Sequence, residues 1–157
     1  MPATFSASGA GMGNKIAQWH DAVERRLAGS GDVGLLALRL VTGGHLMFMT
    51  QDNVFSWMRM LEFRDFLAQF GFPFPLFCAV LSVVGQFGGG LALVLGLCTR
   101  FAGAIVAFNF IVAIVMVDSK QPYPGAFAAL ALVAAGVCLM FTGAGRYSLD
   151  RAWRKAA

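Results

Sequence analysis

The sequence predicts an all-α membrane protein: a four-transmembrane-helix bundle with an N-terminal interfacial amphipathic helix and a helical loop between spans one and two. Hydrophobic residues make up 58% of the 157 residues, whereas charged residues make up only 13%. Long apolar runs recur four times, and Arg39 is the one charged residue inside them. Runs of about 18 or more apolar residues are typical of membrane-spanning helices, so we expect four spans.

The N-terminal segment predicts a peripheral element rather than a span. The chain starts with MPATFSASGAGMG, which is small and uncharged and favours a disordered tail. Apolar residues then recur at helical spacing in a stretch that is too polar to cross a bilayer, and Trp19 suits the headgroup layer. We therefore expect residues 1–31 to form a disordered tail and a cytoplasmic interfacial helix. A membrane domain should follow at residues 32–145, and a basic cytoplasmic tail at 146–157.

The four spans are expected at residues 33–50, 75–97, 101–117 and 125–142. Pro75 fits the first turn of span two, where its missing N–H is not needed. The segment between spans one and two carries many aromatic residues together with charges. Four polar residues recur there at helical spacing, which predicts a surface helix over the mouth of the bundle: Arg59, Glu62, Asp65 and Gln69.

The distribution of cations predicts the orientation of the chain. Eight of its 12 lysines and arginines belong to one end of the predicted bundle: Lys15, Arg25, Arg26, Arg100, Arg146, Arg151, Arg154 and Lys155. The two loops at the other end hold three cations, offset by acidic residues. The positive-inside rule therefore places both termini in the cytoplasm. The cations flank apolar runs, a placement that fits lipid headgroups and not nucleic acid.

Four polar residues inside the spans are the candidate ligand-binding residues: Arg39, His45, Gln86 and Asn109. Polar groups in hydrocarbon cost several kcal/mol unless they find partners. At about 1.5 Å per residue, His45 and Gln86 both lie roughly 17–18 Å into their spans, near the midplane. These residues either bind a ligand or only join helices to one another. Gly85, Gly89 and Gly90 offer a smooth surface for close helix packing.

The residue types present limit the chemistry that the chain can perform by itself. His45 is the only histidine in a span, and no acidic residue lies in one, so we expect no metal site. We find no Ser/His/Asp set, no phosphate loop and no CxxCH haem attachment. We therefore assign no catalytic residue. At most, we expect the chain to be one subunit of an oxidoreductase.

Four motifs in order resemble the DoxX family of small four-span bacterial membrane proteins. They are LALRLVTGG in span one, GFPFP before span two, QFGGGLALVLGLCTR, and GAGRYSLDRAW after span four. The resemblance covers residues 33–153. It implies a four-helix bundle in the bacterial inner membrane, associated with redox complexes such as those of thiosulfate:quinone oxidoreduction. Arg39 matches the family's arginine in span one, whereas Gln86 stands where the family usually has a glutamate.

The resemblance and the polar residues together predict an accessory or anchoring subunit of a larger, quinone-linked redox complex. Its polar intramembrane pocket would bind a quinone head group, and no cofactor would be covalently bound. The expected partners are the lipid bilayer and other membrane subunits, without nucleic acid. The alternatives are a purely structural subunit of a large membrane assembly and a small-solute transporter. Because an amide cannot carry a proton as a carboxylate does, Gln86 cannot take over proton chemistry from the family's glutamate.

Overall fold

A computed structural model describes residues 8–27, 29–118 and 123–156, and all secondary structure in these ranges is helical. Seven helices follow one another: α1 (Ser8–Leu27), α2 (Gly31–Phe55), α3 (Trp57–Gln69), α4 (Pro75–Leu95), α5 (Thr99–Met116), α6 (Tyr123–Thr142) and α7 (Leu149–Ala156). Four of them, α2, α4, α5 and α6, are long and apolar enough to cross a membrane. The predicted all-α architecture with four membrane-length helices is confirmed.

The helix boundaries differ from prediction at the two ends of the chain and in span one, which was expected to end at residue 50 but continues to Phe55. Helix α1 begins at Ser8, so the part of the predicted tail that lies within the described residues is helical. Residues 1–7 of that predicted tail lie outside the described residues. The predicted basic tail contains α7, which begins after Ser148. The Ser148 hydroxyl accepts the N–H of Arg151 at 3.3 Å, a bond that satisfies one of the free donors of a first helical turn.

The four long helices pack in chain order. Helices α5 and α6 share the most extensive interface, α2 and α4 the next, and α4 lies against α5, whereas α2 and α6 touch only sparsely. Helix α3 lies on α4 through a small apolar cluster that includes Met60, Leu67 and Ala79. The bundle is therefore tightly packed along three of its four seams and loose along the seam between α2 and α6.

Two pairs of glycines allow the closest approaches between long helices. A Cβ atom on Gly43 would lie 2.5 Å from the carbonyl oxygen of Gly90, and one on Gly90 would lie 2.8 Å from that of Gly43. Gly103 and Gly136 face each other in the same way, each at 2.7 Å. Any side chain at these positions would push the helices apart. The pairs therefore hold α2 against α4 and α5 against α6.

The core between the long helices is small and apolar, and the outer surface is apolar as well. Leu46, Leu93, Ala102, Val106 and Leu139 form the buried cluster. Large side chains on every long helix face outward, among them Val41, Phe48, Val84, Phe108 and Phe141. Continuous apolar surface of this extent is typical of helices that are surrounded by lipid.

Of the packing glycines predicted on α4, Gly90 faces α2 while the other two face α5. A Cβ on Gly85 would lie 3.3 Å from the Ile105 side chain, and one on Gly89 would lie 3.4 Å from Val106. Helix α4 thus presents a smooth surface to both neighbours. It also runs without a break through the three consecutive glycines, from Pro75 to Leu95.

Candidate functional site

Arg39 is the most deeply buried charged residue of the described chain, with 1% of its surface exposed. Its guanidinium donates to four backbone carbonyls: Leu93 at 2.9 Å, Ala144 at 2.7 Å, Tyr147 at 2.7 Å and Val94 at 3.2 Å. The first and last of these belong to the final turn of α4, where the helix dipole favours a positive charge. The other two belong to the loop between α6 and α7. These bonds offset the cost of burying the cation.

Gly96 makes room for the buried guanidinium. It ends α4 with a φ of 70°, in the left-handed region that disfavours other residues. A Cβ at Gly96 would collide with Nη2 of Arg39 and would lie 2.7 Å from the Ser148 side chain. The glycine is therefore required both by the turn after α4 and by the position of Arg39.

Asp150 joins α7 to the turn between α4 and α5. Its two carboxylate oxygens accept the backbone N–H groups of Cys98 at 2.8 Å and Thr99 at 3.3 Å. Its own N–H donates to the Gly96 carbonyl at 3.1 Å. The carboxylate thus satisfies free donors at the start of α5, as a capping residue does, although it comes from about fifty positions further along the chain.

Asp32 also accepts a backbone N–H group from a distant part of the chain. It lies in the first turn of α2, where an acidic side chain can interact with the free N–H groups of its own helix. The Asp32 carboxylate instead accepts the backbone N–H of Arg146 at 2.8 Å and lies 3.9 Å from its side chain.

We call the group formed by Arg39, Gly96 and Asp150 the Arg39 network, because three of the four sequence motifs meet there.

A cavity of about 390 Å³ lies between α2, α4, α5 and α6, along the loose seam of the bundle. His45 and Gln86 both line it, so the structure brings together these two of the four predicted ligand-binding residues. Asn109 does not line it, and Arg39 is engaged in the Arg39 network. We call this space the His45–Gln86 cavity.

Gln86 makes its hydrogen bond within its own helix. Its side-chain nitrogen donates to the Ser82 hydroxyl at 2.9 Å, one turn earlier in α4. This bond joins two turns of α4 and does not join α4 to another helix. Because an amide nitrogen has two donors, one remains for a further acceptor.

Several residues of the His45–Gln86 cavity were missed by the sequence analysis. Met49 and Asn53 follow His45 at intervals of four, so the helical repeat places all three on one face of α2. Phe63, Phe110 and Asp118 come from three other parts of the chain. The spacing on α2 was a usable signal, whereas nothing in the local sequence of the others indicates that they meet.

The chemistry of this cavity is that of a site for a largely apolar molecule with hydrogen-bond acceptors. An imidazole, two carboxamides and the Asp118 carboxylate line it together with Thr50, whose hydroxyl donates to the Leu46 carbonyl at 2.7 Å. Most of the remaining lining is apolar or aromatic. His45 and Met49 are exposed on the outer surface of α2, so the cavity is open toward the side of the bundle.

One group of three possible metal ligands occurs among the described residues, and it lies elsewhere. His20, Asp21 and Glu24 approach one another on α1, where all three side chains are exposed. His20 and Glu24 form an exposed pair at 3.7 Å. This group does not line the His45–Gln86 cavity and needs no ion to explain it.

These features define a multi-pass α-helical membrane protein with a mostly apolar cavity between its long helices, and they agree with what is found by comparison. The family model named DoxX matches residues 34–119, more than half of the chain. The chain therefore belongs to the DoxX family, as its motifs predicted. No curated protein and no solved structure matches it.

Proposed function

We propose that this protein is an accessory, membrane-anchoring subunit of a larger quinone-linked redox complex in the bacterial inner membrane. In this proposal both termini are cytoplasmic, as the cation distribution predicts, and the His45–Gln86 cavity binds a quinone head group. The observation that carries the proposal is the cavity itself, which is lined by the hydrogen-bonding side chains of His45 and Gln86 between the long helices.

The side chains that line the cavity suit a quinone head group. A quinone has two carbonyl oxygens on a flat ring, and His45 and Gln86 supply an imidazole and a free amide donor for such acceptors. Phe63 and Phe110 offer aromatic surface for the ring. A volume of about 390 Å³ falls in the range of about 300–1,000 Å³ that small-molecule sites occupy.

The position of the cavity also suits a ligand that arrives through the bilayer. A quinone carries a long apolar tail, which has to leave any head-group site toward lipid. The seam between α2 and α6 is sparsely packed, and the exposed His45 and Met49 lie along the same cavity. The tail would therefore leave sideways, along the apolar outer surface of the bundle.

The experiment measures the binding of a short-tailed quinone analogue to the detergent-purified protein by equilibrium dialysis. We expect His45→Leu and Gln86→Leu each to raise Kd about 2- to 12-fold, because one hydrogen bond contributes about 0.5–1.5 kcal/mol. Asn109→Leu is the matched control: it removes a polar side chain from a span without touching the cavity, and Kd should stay unchanged. Equal affinity in all four proteins would refute the proposal.

A purely structural role is the second candidate. The segment around α3 supports it, because this segment exposes four large apolar side chains that a partner subunit would cover: Phe55, Trp57, Met58 and Phe74. The two roles differ in what Gln86→Leu does to a complex purified with its partners. If assembly and activity both survive that change, the structural role is favoured. A transporter has less support, since α4 lacks the helix break that such proteins commonly use.

A further inference from the structure

A second cavity, of about 890 Å³, lies at the end of the bundle that carries the Arg39 network. It is bounded by the start of α5, the loop between α6 and α7, and α7 itself. Four cationic residues line it: Arg100, Arg146, Arg151 and Lys155. We call it the cationic cleft. It is separate from the His45–Gln86 cavity and shares no lining residue with it.

The acidic residues of the cationic cleft do not neutralise it. Asp32 and Asp150 line it too, but both carboxylates already accept backbone N–H groups. Arg146 lies 3.9 Å from Asp32. Among the side chains that the structure describes, no carboxylate is within ion-pair distance of Arg100, Arg151 or Lys155. Two acids against four cations leave the cleft with a net positive charge.

The cleft also reaches the lipid-facing side of the bundle. Phe101 lines it and is 69% exposed on the outer surface of α5. Thr99, at the floor, has a buried hydroxyl without a hydrogen-bond partner among the described residues. The start of α5 is already capped by Asp150, so the attraction for an anion comes from the side-chain cations and not from the helix end.

We propose that the cationic cleft is a binding site for the head group of an anionic phospholipid. The phosphate would lie among Arg100, Arg151 and Lys155, and the acyl chains would run along Phe101 and the outer surface of α5. Basic pockets at the ends of membrane helices suit such head groups. A lipid fits better than free phosphate because the cleft joins its positive charge to an exposed apolar surface. This proposal is independent of the quinone proposal.

The experiment measures phospholipid binding to the full chain in detergent by native mass spectrometry. Phosphatidylglycerol is compared with phosphatidylcholine of the same acyl chains. We expect the anionic lipid to bind more tightly to the unaltered protein. The double variant Arg151→Gln and Lys155→Gln should bind it about 30-fold more weakly, since each cation near a lipid surface contributes about 1 kcal/mol. Both residues lie on the exposed face of α7, so the bundle should remain folded.

The control removes the same charge from the opposite end of the bundle. Arg59→Gln with Arg64→Gln should leave phosphatidylglycerol binding unchanged, because both residues lie on α3. Equal binding of the two lipids, or equal loss in both double variants, would overturn the proposal. Displacement of the lipid by millimolar inorganic phosphate would also overturn it, because the cleft would then be a site for a free anion.

Discussion

Replacing Arg39 with methionine should destabilise the bundle by removing the contacts that join three segments. The change keeps an unbranched apolar stem but deletes four hydrogen bonds to backbone carbonyls. The Leu93 carbonyl keeps a partner, because it also accepts the Gly96 N–H at 3.2 Å. The carbonyls of Ala144 and Tyr147 each lose a bond of 2.7 Å, and the first of these is buried.

The magnitude follows from those two acceptors. A buried polar group that loses its partner costs about 1–3 kcal/mol, and relief of the buried charge offsets part of the sum. We expect a net loss of about 3 kcal/mol in the free energy of unfolding. For a chain of this size that corresponds to a decrease in Tm of about 6–12 °C.

The assay is thermal unfolding of the purified protein in mild detergent, with Arg59→Met as the control. Arg59 is an exposed arginine on α3 that pairs with Glu62 at 2.8 Å, and exposed pairs contribute about 0–1 kcal/mol. Trypsin cleavage after Arg146 should also become faster in the Arg39 variant, because the guanidinium no longer holds the surrounding loop. A Tm for Arg39→Met within about 2 °C of that of the control would show that the Arg39 network is not what holds these segments together.

Two further changes test how the helices are held. Gly103→Val should reduce Tm strongly or prevent folding, because its Cβ would lie 2.7 Å from the Gly136 carbonyl. Gly88→Val should be tolerated, because a side chain at position 88 faces open space. Size-exclusion chromatography after heating distinguishes the folded variant from the aggregated one. Asp150→Ala should cost about 1 kcal/mol through the lost cap of α5, measured by the same unfolding assay, and an unchanged Tm would contradict the capping role.

The inward position of Arg39 could be predicted from the sequence, but its partners could not. A lone cation in a span has to turn toward protein, and the structure places the guanidinium inside the bundle. Its acceptors, however, are backbone carbonyls of residues 54 to 108 positions away. Backbone carbonyls are present at every position, so no residue type in the sequence indicates which of them will meet the arginine.

The candidate ligand residues were grouped by depth, which is only one of the coordinates that define a site. His45 and Gln86 were predicted at the same depth and do line one cavity. Asn109, the third uncharged candidate, does not line the cavity. Depth along a helix follows from counting residues, whereas the face that meets a neighbour depends on helix order and rotation. The sparse packing between α2 and α6 depends on the order of the helices and on their rotation.

The most direct test of the proposed ligand site is photocrosslinking with a quinone analogue that carries its reactive group on the ring. The purified protein is illuminated, digested and mapped by mass spectrometry, with and without excess unlabelled quinone. We predict labelling at Phe110, which lines the His45–Gln86 cavity, and its suppression by the competitor. Equal labelling of Phe108 and Phe141, which face outward, without competition, would contradict the account.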